Sequence, residues 1–328
     1  MAPPLAVSIE ARKAPEVPRD RDVRALLERD VLLARYSSLR VGGPADYFAR
    51  PRSVGEIRAL LAFAHRLRIP WLVLGNGTNV IFPDEGFRGL VIHLGRGFSA
   101  KRLDPEEGIL RVQAGAGLGA TMGFLRAHGY RDFDGLVGIP GTVGGALAMN
   151  AGIPEFTIAR LVERVTALTD EGELLTLPRE ACGFRYRGSL FRRRPWVIVE
   201  GEFRLGEAPT LDPEALLERR RRAQPLGDPS PGCVFKNPSV PDKRKKRLPD
   251  PPTAGRLLEG AGLKGARVGG AMISKKHANF LVNRRGATAA DCLRLIDFAR
   301  ERVYKEFGVE LELEVAVVAA SRSAPCLR

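Results

Sequence analysis

Apolar positions recur at helical spacing from Ser53 to His65, and Ser53 stands three residues before Glu56, so a capped helix is predicted there. Trp71-Leu72-Val73 predicts a short buried strand, Leu90 to Leu94 a second, and the alternating Ile109 to Gly115 a third. A helix is predicted from about Leu118 to His128. Leu161–Leu168 and Glu173–Leu177 flank Thr169-Asp170-Glu171-Gly172, a hairpin signature, and the strand Trp196–Glu200 follows. From Asp212 the pattern changes. Asp212-Pro213-Glu214 opens a helix that ends near Gln224-Pro225. Beyond a proline-rich loop come a helix near 254–259, strands at 271–273 and 280–282, and an amphipathic helix from Thr288 to Phe307. Short strands mixed with few helices, without internal repeats, make the fold class α+β.

Three glycine clusters interrupt this pattern. Residues Gly138 to Gly152 carry five glycines, one proline and no charge. Such a run predicts neither an ordinary helix, nor a strand, nor a solvated loop. It predicts irregular backbone held against a ligand, a buried nucleotide first of all. Leu74-Gly75-Asn76-Gly77-Thr78-Asn79 follows a predicted strand, as a pyrophosphate-binding turn would, although a tight structural turn leaves the same trace. Val80 breaks the Gly-x-Gly-x-x-Gly fingerprint, which excludes a Rossmann reading. The third cluster is Ser38-Leu39-Arg40-Val41-Gly42-Gly43-Pro44-Ala45.

At 328 residues and 44% apolar, the chain can bury a large core in two or three domains. Its net charge of +14 is spread along the sequence, with runs at 192–194, 219–222 and 243–247. A basic surface suits nucleic acid, and it equally suits polyanionic small substrates, so charge does not discriminate. No apolar run is long enough to span a membrane. The first thirty residues alternate proline, arginine and acid without the apolar centre of a secretory signal, and are expected to be a flexible extension. Cys182, Cys233, Cys292 and Cys326 include no C-x-x-C pair, which suggests reduced thiols, and the four histidines do not group at metal-ligand spacing.

The clusters occur in order with further stretches: Cys182-Gly183-Phe184-Arg185-Tyr186-Arg187-Gly188-Ser189, Gly232-Cys233-Val234-Phe235-Lys236-Asn237-Pro238, Gly255-Arg256-Leu257-Leu258-Glu259, Gly262-Leu263-Lys264-Gly265, His277 to Asn283 and Gly308 to Val315. Together they resemble the UDP-N-acetylenolpyruvoylglucosamine reductase family, from about Tyr36 to about Val318. The resemblance implies a two-lobed FAD-binding fold of the vanillyl-alcohol-oxidase type over 31–206 and a substrate-binding domain over 207–320. Before them lies the extension 1–30, and after them a tail, 321–328; residues 239–252 form an exposed basic insertion. It also implies a cytoplasmic enzyme of peptidoglycan precursor synthesis that takes electrons from NADPH and acts on UDP-N-acetylglucosamine enolpyruvate, as a monomer or weak oligomer without nucleic acid. FAD is expected to be non-covalent, since the loops 74–79 and 138–152 hold neither His nor Cys. Its expected contacts are Gly42, Gly75, Asn76, Gly77, Thr78, Asn79, Gly138, Ile139, Pro140, Gly141, Thr142, Gly144, Gly145, Ala146, Asn150 and Gly152. Tyr186, Gln224, Asn237 and Lys264 are expected at the substrate. Only Gly188 to Pro195 separates Arg187 from the next strand, and no tyrosine lies there, so the chain resembles the family's shorter subtype.

Reducing an enolpyruvyl ether needs a hydride store, a cation facing the carboxylate and an acid that reaches the new carbanion. By resemblance Arg187 is the cation, and its planar fork suits a carboxylate. Glu314 matches the family's catalytic glutamate, although Glu310-Leu311-Glu312-Leu313-Glu314 alone would read as a solvated acidic strand in which Glu314 shares a face with Glu310 and Glu312 unless a bend intervenes. Most relatives carry serine as proton donor where this chain has Cys233. A thiol gives up its proton more readily, and can also be lost as thiolate or by oxidation; the bland alternative is a small core residue. A different FAD oxidoreductase of the same fold would keep the glycine loops without reason to keep Arg187, Cys233 and Glu314 together. A basic flavoprotein binding module would show salt-dependent retention on nucleic acid.

Overall fold

The computed structural model describes residues 20–206, 211–239 and 248–319. Residues 1–19, the basic run 243–247 with most of the expected insertion, and the expected tail with Cys326 lie outside the described residues. The chain divides into two compact units, the first made of residues up to Glu28, 47–75 and 89–216, the second of 29–46, 76–88 and 217 onward. The expected continuous boundary at 206/207 is therefore replaced by an interleaved one. Residues 29–46 and 76–88 fold with the C-terminal part because Leu39, Val41 and Ile81 complete its core, and because β4 (Val80–Ile81) pairs in parallel with β16 (Ala316–Val317).

In the first unit the expected extension ends sooner than residue 30. Asp20–Ala25 is helix α1 and Leu27 begins strand β1 (Leu27–Leu32), with Val23 only 3% exposed and packed into the core. Helix α2 (Val54–Leu67) starts where predicted. Ser53 Oγ accepts from the Glu56 N–H at 3.1 Å, while the Glu56 carboxylate accepts from the Arg52 N–H rather than that of Ser53, so half of the capping box forms. Strand β3 (Trp71–Leu74) runs parallel to β5 (Phe87–His93), in a sheet that continues into β2 (Pro44–Ala49). Val73 on β3 is 37% exposed, so this strand is covered on one face only, not buried throughout. The larger sheet is antiparallel, in the order β11 (Leu174–Pro178), β10 (Val162–Leu168), β12 (Val197–Arg204), β7 (Ile109–Gln113), β6 (Lys101–Asp104). The predicted hairpin turn closes through Thr169 N–H to Glu173 O at 2.8 Å. Helix α3 (Leu118–Ala127) leads toward the long glycine run.

That run corrects the expectation of wholly irregular backbone, because Val143–Met149 within it is helix α4. Thr142 caps the helix, its hydroxyl accepting from the Gly145 N–H at 3.2 Å, and Asn150 closes it in the left-handed region at φ 46°. Glycine is needed within the helix because a Cβ at Gly144 would lie 2.8 Å from the Ala114 Cβ. After it, β8 (Gly152–Ile153) pairs with β9 (Phe156–Thr157).

Helix α5 (Pro213–Ala223) has Asp212 as its cap, as predicted, and buries no residue. In the second unit, a sheet of β13 (Arg267–Val268), β14 (Ala271–Ile273) and β15 (Leu281–Asn283) packs with α6 (Ala254–Gly260) and α7 (Ala289–Phe307) around Leu257, Leu258, Leu295, Ile296 and Val303. The N-terminus of α7 is held twice. Thr288 and Asp291 form a reciprocal capping box, and the Asp84 carboxylate accepts from the N–H groups of Ala289 and Ala290 at 2.7 and 2.9 Å. Asp84→Ala strands these two donors. We expect a loss of about 1–3 kcal/mol, read as a lower urea midpoint with unchanged slope; an unchanged midpoint would mean that water serves these donors equally well.

Candidate active site

In the first unit, helix α4 organises the expected cofactor loop. Within 138–145, Pro140 and Gly145 are exposed and Gly138, Ile139, Gly141 and Gly144 half-buried, with no charged side chain among them. The N–H groups of Gly138, Gly141 and Thr142 donate no hydrogen bond among the described residues. A half-open, uncharged surface with amide donors left unused by the protein is what a flavin nucleotide requires, so these residues fit FAD. Several of the expected cofactor glycines also permit close packing within the protein. A Cβ at Gly75 would lie 2.5 Å from Thr142 Oγ1, and one at Gly152 would lie 2.1 Å from Phe156 O. Each lets one segment of protein approach another, so its own Cβ direction faces protein. Ala146 is buried inside α4.

Asn150 is likewise engaged by protein through its side chain. Its Nδ2 donates to Arg185 O at 3.1 Å and its Oδ1 accepts from the Ala159 N–H at 3.3 Å. Arg185 and Gly188 exchange backbone hydrogen bonds of 2.9 and 3.2 Å, which puts Tyr186 and Arg187 at the corners of a tight turn. Arg187 occupies the left-handed region at φ 53°, donates through Nη1 to Gly152 O at 3.2 Å and lies 5.3 Å above the Tyr186 ring. Tyr186 itself is 56% exposed. Ser189 Oγ fastens the other end of this turn to Ala148 O at 2.9 Å. The Tyr186-Arg187 turn is thereby tied to the glycine helix, a link the spacing in sequence does not reveal.

His93, on β5, stacks on Phe48 at 5.6 Å. Burial holds its pKa below the ordinary value and Arg50 pushes it the same way, against a hydrogen bond with the Gly75 backbone. The imidazole is therefore a neutral support beneath the start of the second glycine cluster.

The remaining expected residues fall in the second unit. Gly42 (φ 121°) and Gly77 (φ 60°) are required by packing: a Cβ would meet the Phe82 side chain at 2.5 Å in the first case and Tyr36 O at 1.8 Å in the second. Asn76 is exposed and Thr78 half-buried. Asn79 donates through Nδ2 to Glu314 O at 3.2 Å, and its own carbonyl accepts from the Ala316 N–H. Cys233 is half-buried, forms no disulfide among the described residues, and bridges to Phe280. Phe235 faces Leu313 across an isolated bridge flanked by Glu314 N–H to Val234 O at 2.8 Å and Lys236 N–H to Glu312 O at 2.9 Å. Cys233, Glu314 and Asn79 are thus brought together in one unit.

The expected acidic strand at 310–314 is reduced to that single bridge. Val315 N–H also turns back onto Val234 O, at 3.3 Å, and this is the bend left open by the sequence. Glu310 and Glu312 are exposed, with Glu312 paired to Lys236 at 3.0 Å, while Glu314 is half-buried. Asn237 is exposed, and its Oδ1 accepts from the Ala254 N–H at the head of α6. Lys264 pairs with Glu259, and Gln224 is half-buried just beyond α5.

Asn279 has no role in the sequence reading, yet it clamps the thiol segment. Its Oδ1 accepts from the Phe235 N–H at 2.9 Å, its Nδ2 donates to Phe235 O at 2.8 Å, and its carbonyl accepts from the Val234 N–H. The only trace in sequence is its place in the matched stretch His277 to Asn283. His277 supports it in turn, Nδ1 accepting from the Asn279 N–H at 3.2 Å, which requires that nitrogen to be unprotonated. Burial first, then Lys264, lowers the His277 pKa, opposed by Glu259. In this arrangement His277 acts as a support for Asn279.

For both histidines the folded-state pKa lies below the reference value of 6.5, so the unfolded chain takes up the proton first. Their contribution to stability is whole above about pH 6.5 and falls as the pH drops below it. We expect the urea midpoint to fall between pH 7.5 and pH 5.5, and less steeply in His277→Gln, whose amide oxygen can still accept. Equal slopes would exclude His277 as a contributor.

Residues 45–178 match a family described as FAD binding domain, and residues 224–318 match one described as UDP-N-acetylenolpyruvoylglucosamine reductase, C-terminal domain. The UDP-N-acetylenolpyruvoylglucosamine reductase of Heliobacterium modesticaldum is 40% identical over 305 residues, covering 92% of this chain and 93% of the relative. That of Geobacter sulfurreducens is 41% identical over 305 residues, covering 91% and 96%. Among solved structures, UDP-N-acetylenolpyruvylglucosamine reductase (MurB) from Thermus caldophilus aligns with a TM-score of 0.70 at 35% identity, over 89% of this chain and 98% of that one.

Proposed function

This chain belongs to the UDP-N-acetylenolpyruvoylglucosamine reductase family, and we infer that it reduces the enolpyruvyl group of UDP-N-acetylglucosamine enolpyruvate to UDP-N-acetylmuramate in peptidoglycan precursor synthesis. FAD is its cofactor, and we read the residues of 138–145 and 75–79 as those that hold it without a covalent bond. Bound FAD supplies a store for hydride that is taken from NADPH and delivered to the terminal carbon of the enolpyruvyl double bond. No described helix is long and apolar enough to cross a membrane. Within this reading the enzyme works in the cytoplasm as a monomer or weak oligomer.

The protein's own part is electrostatic and protonic. Hydride at the terminal carbon places negative charge on the adjoining carbon and its carboxylate. Arg187 is the cation we assign to that carboxylate: its guanidinium stays charged and can make two parallel bonds to the developing enediolate. Cys233 is the acid we assign to the adjoining carbon, its S–H proton completing the reduction. The single observation that carries this assignment is the register of Glu314 beside Val234, the residue after Cys233, through Glu314 N–H to Val234 O at 2.8 Å. A carboxylate from one segment and a thiol from another are held by main chain, which side-chain motion does not undo. Tyr186, Gln224, Asn237 and Lys264 remain the residues we assign to the rest of the substrate. The net positive charge favours encounter with both polyanionic reactants.

Anaerobic reduction by NADPH should bleach the flavin band, and UDP-N-acetylglucosamine enolpyruvate should restore it rapidly. Reduction without reoxidation would remove the substrate assignment while leaving the flavin fold. A thiol ionises within the range of a pH-rate profile and a serine hydroxyl does not. Wild type should therefore lose activity on the alkaline side and on treatment with peroxide, and Cys233→Ser should retain activity without that limb or that sensitivity. Superimposable alkaline limbs would show that another group donates the proton.

A further inference from the structure

We propose that Asn150 is the positioning residue for Arg187, fixing the turn that carries the guanidinium through two carbonyl groups at once. The proposal rests on the reading of Arg187 as the carboxylate ligand. The first carbonyl is that of Arg185, which accepts from Gly188 N–H at 3.2 Å and from Asn150 Nδ2 at 3.1 Å. Arg185 opens the turn in which Arg187 takes the left-handed conformation at φ 53°, which is unfavourable for a residue with a Cβ. A turn of that kind keeps its shape only where its surroundings hold it. The side-chain donor from Asn150 is such a hold, because relaxing the turn would swing the Arg185 carbonyl away from it.

The second carbonyl is that of Gly152, which accepts from Arg187 Nη1 at 3.2 Å. Gly152 stands two residues after Asn150, and the left-handed conformation of Asn150, at φ 46°, is what turns the chain out of α4 toward β8. Asn150 therefore fixes one anchor of Arg187 with its side chain and the other with its backbone. Its amide cannot be reversed without loss, since Oδ1 is occupied by the Ala159 N–H at 3.3 Å. The two arms can be separated. Glycine keeps the left-handed backbone and loses the side-chain arm, and aspartate keeps the size and the Oδ1 acceptor while losing the donor to Arg185.

The test measures reoxidation of the reduced holoenzyme by UDP-N-acetylglucosamine enolpyruvate, and separately its reduction by NADPH, in wild type, Asn150→Gly, Arg187→Ala and the double variant. We expect Asn150→Gly to slow reoxidation about 10- to 100-fold, as a displacement near 1 Å at a reacting group does, with reduction by NADPH changed far less. In the Arg187→Ala background the same change should slow reoxidation no further. Equal slowing in both backgrounds, or none in either, overturns the proposal. If Arg187→Ala itself leaves reoxidation intact, the reading of Arg187 fails and the proposal falls with its premise, a result distinct from failure of Asn150 alone. Should Asn150→Gly not retain its flavin, Asn150→Asp tests the side-chain arm in the same cycle, with the same outcomes deciding.

Discussion

The close approach of helix α4 to the strand end at Ala114 is the constraint on which the first unit depends. With the Cβ of Ala114 2.8 Å from where a Gly144 side chain would begin, no other residue lets Val143 and Gly144 donate to the carbonyls of Ala116 and Ala114, both at 2.8 Å. Once the helix is seated, its two ends have separate duties. Thr142, at the start, meets the backbone of Gly75 just past the end of β3. Asn150, at the finish, reaches the turn of Tyr186 and Arg187. A run without charge thereby connects the expected flavin surface to the expected cation, and the absence of charge leaves the main-chain donors of 138–142 to set the local polarity.

The second unit depends on a different kind of contact. Val234 O accepts from both Glu314 and Val315 N–H groups, and Asn279 takes both polar groups of Phe235. These bonds hold an extended segment, 232–237, that belongs to no regular strand. Irregular backbone of this kind is stable only when each donor and acceptor is matched elsewhere. Here a neutral histidine, a buried asparagine and a neighbouring bend supply the matches, which explains why polar residues such as Asn279, 4% exposed, sit in an otherwise apolar interior.

Hydride transfer needs a flavin held by neutral backbone, whereas carboxylate binding and proton delivery need a fixed cation and an acid that stays protonated until used. In the role proposed for Cys233, a thiol differs from a hydroxyl in its acidity and redox behaviour.

The α+β class, most helices and strands, and the family are legible in the sequence. Periodicity and caps are local, and Ser53, Asp212 and Thr288 each act within their own first turn. Identity of motifs also survives in the one-dimensional order of Gly75, Arg187, Cys233 and Glu314. Partnership over distance is set by the folded chain. That residues 29–46 and 76–88 fold with the C-terminal part, that Glu314 leaves the exposure of Glu310 and Glu312, and that Asn150 serves Arg187 all follow from contacts between segments far apart in the chain. A glycine in the sequence permits a close approach; whether ligand, protein or open space lies at its Cβ position is set only by the folded chain.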